Sequence, residues 1–174
     1  MAKVHFDKLN HFHSYDSAYK RINLACIAFS ELPEKKRLKM YAKGFNEKKL
    51  VLLADSIFSG AFTDALNGTQ PESLSRYIQN FPDSPHRLKA ILLRDSAAFS
   101  DASKLNNSKA FAAFIERYPQ SHLREKVQKK LDFALYTETV AVGTLDALIA
   151  FLNTYPNSEY AGSVEDLVFS KAAP

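Results

Sequence analysis

One four-residue motif, aromatic-Pro-x-Ser, occurs three times at a constant interval: Phe81-Pro82-Asp83-Ser84, Tyr118-Pro119-Gln120-Ser121 and Tyr155-Pro156-Asn157-Ser158, each copy 37 residues after the last. The residues ahead of each copy agree as well. Leu74, Tyr77 and Ile78 align with Phe111, Phe114 and Ile115, and with Leu148, Phe151 and Leu152, at offsets that mark one buried helical face. Further upstream, Phe62-Thr63-Asp64-Ala65 becomes Phe99-Ser100-Asp101-Ala102 and then Tyr136-Thr137-Glu138-Thr139 at the same period. A fixed period in this size range means one supersecondary unit used repeatedly.

Each unit reads as a short helix, a tight turn and a longer helix. The first helix, for example Pro71 to Asn80, must end near Phe81, because the residue before a proline is pushed out of the right-handed helical region. Ser84, Ser121 and Ser158 then stand where an N-cap of the second helix belongs, and Pro85 fits the first helical position. The second helices are expected at roughly 85 to 103, 122 to 139 and 159 to 171. Thr69-Gln70-Pro71-Glu72 has the form of a capping box. A further step of 37 residues upstream places Gly44 to Glu47 opposite the turn, and Leu50 to Leu66 opposite the later second helices. Helical patterns at Glu34 to Lys43 and Ser17 to Glu31 bring the total to about eight helices. Units of this kind cannot bury their apolar faces alone, so neighbours must stack into a continuous core. The expectation is an all-α fold, a right-handed α-solenoid of stacked helix-turn-helix repeats, forming a single domain over residues 14 to 174 behind a loosely held arm at 1 to 13.

The layout resembles the tetratricopeptide-like repeats of bacterial envelope proteins, notably the outer-membrane assembly lipoprotein and cell-division coordinator families. The resemblance covers roughly residues 34 to 174 and rests on the Phe81, Tyr118 and Tyr155 turn motifs with the aromatic and apolar residues before each. The period is 37 rather than 34, tryptophan is absent, and the proline lies between the paired helices instead of after the second. The resemblance implies a non-catalytic scaffold, with no cofactor, that binds a peptide or protein partner in the concave groove of a tetratricopeptide-like solenoid.

Composition narrows the remaining classes. Five glycines, at 44, 60, 68, 143 and 162, cannot supply the glycine-rich loops that cradle phosphates. One cysteine, Cys26, excludes an internal disulfide and any multi-cysteine zinc site. Its apolar helical surroundings, without a nearby base or cation, predict a buried structural thiol. No stretch approaches the ~20 uninterrupted apolar residues of a membrane-spanning helix. Met1 to Lys20 carries charges and histidines where an export signal would be apolar, so the chain as it stands reads as soluble; removal of a leader or lipid anchor would make it periplasmic or envelope-associated. His5, His11 and His13 with Asp7 and Asp16 lack the spacing of a metal site, and no metal ligands are assigned. His86 and His122 fall one residue out of register with each other and read as surface residues at helix starts. No nucleophile or paired-carboxylate signature appears, which argues against an enzyme.

The period carries an acid to one position in three successive units, at Asp64, Asp101 and Glu138, and an arginine to another in two, at Arg87 and Arg124. In a solenoid, equivalent positions line up, so these residues are candidates for two stripes that contact a partner. The alternative is that the acids brace the turn after the second helix and the arginine stems pack on neighbours. Charge is unevenly spread: residues 1 to 50 hold 11 Lys+Arg and 5 Asp+Glu, and residues 51 to 174 hold 12 and 14. Lys35, Lys36, Arg37, Lys39, Lys43, Lys48 and Lys49 form a basic patch that would suit nucleic acid or an anionic surface. This is the alternative function. Opposite charge at the two ends also permits head-to-tail self-association.

Overall fold

The structure, a computed structural model, describes residues 14–68 and 70–172. Among these residues there are nine α-helices and no strand: α1 (Tyr15–Ser30), α2 (Glu34–Ala42), α3 (Glu47–Asn67), α4 (Pro71–Asn80), α5 (Arg87–Leu105), α6 (Ser108–Arg117), α7 (Arg124–Val142), α8 (Leu145–Thr154) and α9 (Ala161–Ala172). The all-α expectation holds, with one helix more than the approximate count. The arm expected at residues 1 to 13 lies outside the described residues, as do Thr69 of the proposed capping box and the histidines at 5, 11 and 13. Two compact units divide the chain, one ending at Arg94 and one beginning at Asp95, so the boundary falls inside α5.

In the first unit, α1 opens on Ser14, whose hydroxyl accepts from the Ser17 N–H. Its Ala18, Tyr19, Ile22 and Phe29 are buried and, with Ile22 four and three residues after the first two and seven before the last, form one apolar stripe. That stripe meets Ile57, Phe58, Ala61, Phe62 and Ala65 of α3. At Gly60 the Tyr15 side chain of α1 lies against α3: a Cβ there would overlap its ring. Among the described residues α3 alone is long and apolar enough by composition to cross a membrane. It buries one stripe, from Leu50 to Ala65, and carries two exposed carboxylates, Asp55 and Asp64. Against it packs α4, which starts on Pro71 at its first position, behind Gln70 as N-cap.

The second unit is a run of neighbours, α6 on α7, α7 on α8 and α8 on α9. Ala102, Phe111, Phe114, Val127 and Ala134 form one core cluster, and Leu148, Phe151 and Val164 another. Side-chain oxygens of Asn107 and Thr144 accept from the Ala110 and Ala147 N–H groups at the starts of α6 and α8. Helix α7 ends on Gly143, whose φ of 64° is the left-handed conformation that glycine adopts without a steric penalty.

The 37-residue period is present atom by atom. Helices α4, α6 and α8 each have ten residues and begin 37 apart. Phe81, Tyr118 and Tyr155 close them with φ/ψ of −126°/65°, −128°/60° and −128°/55°. In each turn the motif serine donates its N–H to the aromatic residue's carbonyl, and its hydroxyl accepts from the N–H two residues on, in His86, Leu123 and Tyr160. The serine carbonyl then accepts from Arg87, Arg124 and Ala161. Ala90, Val127 and Val164 follow, all with 0% exposure. One detail differs from the sequence expectation: the serines cap a single tight turn, and the second helices start three residues after them, at 87, 124 and 161. The hydroxyl satisfies the second N–H rather than the third, which holds the chain in that turn before the α-helical pattern begins.

Candidate interaction surfaces

A groove of about 360 Å³ within the first unit lies between the start of α1, the end of α3 and the face of α4. Asp16, Asp64, Ser73, Arg76 and Asn80 supply its polar lining. Asn80 holds the Asp16 carboxylate, Nδ2 to Oδ2 at 3.0 Å. Beneath them the Tyr19 hydroxyl donates to Asp83 Oδ2 at 2.6 Å, and burial followed by this contact pushes the Tyr19 phenol above its ordinary value. Asp64 and Arg76 are exposed and enter no ion pair or hydrogen bond among the described residues. The groove thus offers one free carboxylate and one free guanidinium above a floor that includes Ala61, Ala65 and Tyr77.

Asp64, Asp101 and Glu138 keep their common register but have different partners. Asp101, on α5, accepts from Lys104 Nζ at 2.8 Å, one turn along the same helix. Glu138, on α7, accepts from the Ser108 backbone N–H at 2.7 Å and the Ser108 hydroxyl at 2.5 Å. A carboxylate there satisfies an orphan donor at the N-terminus of α6 and opposes the positive end of its dipole. Glu138 is therefore a brace, Asp101 is paired, and only Asp64 is left open. Arg87 and Arg124 are the first residues of α5 and α7, exposed and without side-chain partners among the described residues. A cation at a helix N-terminus opposes the dipole, so neither arginine supports its own helix.

Six lysines of the basic segment, Lys35, Lys36, Lys39, Lys43, Lys48 and Lys49, are exposed, and Arg37 is half-buried. Helix α2 buries none of its residues, and its Leu38 and Tyr41 are 57% and 40% exposed. The Tyr41 hydroxyl donates to Glu47 Oε1 at 2.7 Å. This contact raises the Tyr41 phenol, and Glu47 is held below the usual carboxylate range by its own backbone N–H and then by Tyr41. Beside them is a second, mainly apolar slot of about 270 Å³ formed by Cys26 and Phe29 of α1, Leu50 and Val51 of α3, and the edges of Arg37 and Glu47.

Two sequence expectations are corrected here. Cys26 is exposed rather than buried; it shares the stripe of Tyr19, Ile22 and Phe29, but it lines the open slot between α1, Arg37, Glu47 and α3 instead of the core. His86 is not a plain surface residue. Its ring stacks on Phe62 with centroids 5.0 Å apart and planes 9° from parallel, and its Nε2 lies 3.3 Å from Ser59 Oγ. His122, by contrast, is exposed as expected.

A recurring contact escaped the sequence reading. Lys89 Nζ sits 5.9 Å from the Phe62 ring and Lys126 Nζ 5.0 Å from the Phe99 ring, while Tyr136 stacks on Tyr160 at 4.8 Å and 16°, as Phe62 does on His86. The ring positions and the two lysines are all 37 apart, so the signal was available as a lysine periodicity. No family model, curated protein or solved structure matches the chain.

Proposed function

We propose that this chain is a non-catalytic protein-protein interaction scaffold, a tetratricopeptide-like α-solenoid that binds a peptide or protein segment in the groove between α1, α3 and α4. Support for stacked repeats comes from the three repeated turns and from the rings of Phe62, Phe99 and Tyr136, 37 residues apart, which meet Lys89 and His86, Lys126, and Tyr160 of the segment that follows. The observation that carries the binding role is the pair Asp64 and Arg76. Both charges are uncompensated within an open groove whose floor is partly apolar, which suits a peptide carrying one cation and one carboxylate. Selection of a displayed peptide library on the whole chain tests this. Enriched peptides should carry both charges, and Asp64→Asn or Arg76→Gln should weaken them about tenfold, the effect of losing a charge-assisted contact, with the melting temperature unchanged. Full affinity in both variants would overturn the assignment.

A second reading, a nucleic-acid- or anionic-surface-binding module, is favoured by one observation: α2 has no fully buried residue and carries exposed lysines beside the exposed Leu38. Exposed aliphatic side chains among lysines suit a lipid interface better than stacked bases.

A further inference from the structure

The slot over Cys26 has a counterpart at the other end of the chain. Helix α9 is amphipathic: Val164, with Leu167 and Val168, packs into the core of the second unit. Its opposite face carries Glu165, Asp166 and Phe169, all exposed. Spacings of three and four place the two carboxylates beside the ring. Phe169 is 74% exposed, more than any other large apolar side chain among the described residues. The surroundings match in sign: residues 132 to 174 hold six carboxylates and one lysine, while residues 34 to 49 hold seven cations and two carboxylates. One of those two, Glu47, is already engaged by Tyr41.

We propose that the slot formed by Cys26, Phe29, Leu50 and Val51 is the docking site for a second copy of this chain, which inserts Phe169 of α9 and sets Glu165 and Asp166 against Arg37 and its neighbouring lysines. Ring and slot supply apolar burial, and the flanking charges fix orientation and exclude the reverse pairing. Knob and slot are different surfaces, so the contact is heterologous: each copy offers both halves, and association continues beyond a dimer unless a ring closes. The interface is small and salt-sensitive. It is separate from the α1/α3/α4 groove and independent of the function proposed for it.

Sedimentation velocity on the whole chain from about 5 to about 500 µM, a range suited to a small interface, tests the proposal. The mass should rise steadily with concentration at about 50 mM salt and fall back at about 300 mM. Phe169→Asp removes the knob and Val51→Asp blocks the slot; both positions are exposed, and helical circular dichroism checks that each variant folds. Each should be monomeric alone, and an equimolar mixture should give a species of twice the protomer mass that grows no further, because only one pairing remains. Reversal of charge on both sides, Arg37→Glu with Glu165→Lys and Asp166→Lys, should restore association lost in either half alone. Alkylation of Cys26 should slow severalfold as the chain associates. A wild-type chain monomeric at all concentrations, single variants that still associate, or a mixture that stays monomeric would each overturn the proposal. So would a monomer at low salt that sediments with anionic phospholipid vesicles, which would assign the basic slot to a lipid surface.

Discussion

The hydroxyl of Ser84 is buried between two partners, the Tyr77 hydroxyl at 2.5 Å and the His86 N–H at 3.0 Å. Its counterparts Ser121 and Ser158 have only the backbone donor among the described residues, because Phe114 and Phe151 replace the tyrosine. Loss of a buried hydrogen-bonding group costs more than loss of a partly exposed one. Alanine substitutions are therefore expected to destabilise in the order Ser84, Ser121, Ser158, with Ser84→Ala costing about 1–2 kcal/mol, as read from urea unfolding midpoints. The same residues show what sequence could supply. Aromatic-Pro-x-Ser announced a turn, because proline restricts the residue before it and serine seeks a backbone donor. Which donor the serine would take, the second N–H or the third, is decided by a torsional choice that residue types do not record. Cys26 misled for a related reason: its stripe was right, but a stripe does not record which of its positions a neighbouring helix covers, and Cys26 lines an open slot.

At the level of elements, the helices follow from spacing alone, and the ten-residue first helices are exact copies in length and register. Their partners were legible only where the pattern was apolar. Where α1 packs on α3, Gly60 leaves room for the Tyr15 ring, a feature that periodicity treats as a neutral gap. Gly60→Ala would ordinarily favour a helix by nearly 1 kcal/mol; here the added methyl meets the Tyr15 ring. The expected outcome is net destabilisation of about 1–3 kcal/mol, in the range of overpacked sites, measured by thermal unfolding. Combination with Tyr15→Ala should cost less than the sum of the two single effects. The acids teach the same lesson about sites: Asp64, Asp101 and Glu138 are equivalent in register, yet local neighbours, Lys104 for one and Ser108 for another, fix what each can do.

Across the whole molecule, the two compact units have separate buried clusters: Ile57 is fully buried in the first and Phe111 1% exposed in the second. Truncation of either side chain to alanine should cost several kcal/mol, about 2–5 for such cavities. Native-state hydrogen exchange should show protection falling first in the unit that carries the substitution, as expected where interactions are local along the chain. Uniform loss across both units would mean that they open together.

The three turn residues that close α4, α6 and α8 share their backbone angles to within 10°. Each acts as a prefabricated elbow, and a segment taken from one elbow to the next arrives with both of its ends already shaped to join another. Duplication of the gene between any two of these points would lengthen the protein by one ready-made module without a new bend to invent, and deletion would shorten it as cleanly. A chain built this way changes length by whole units.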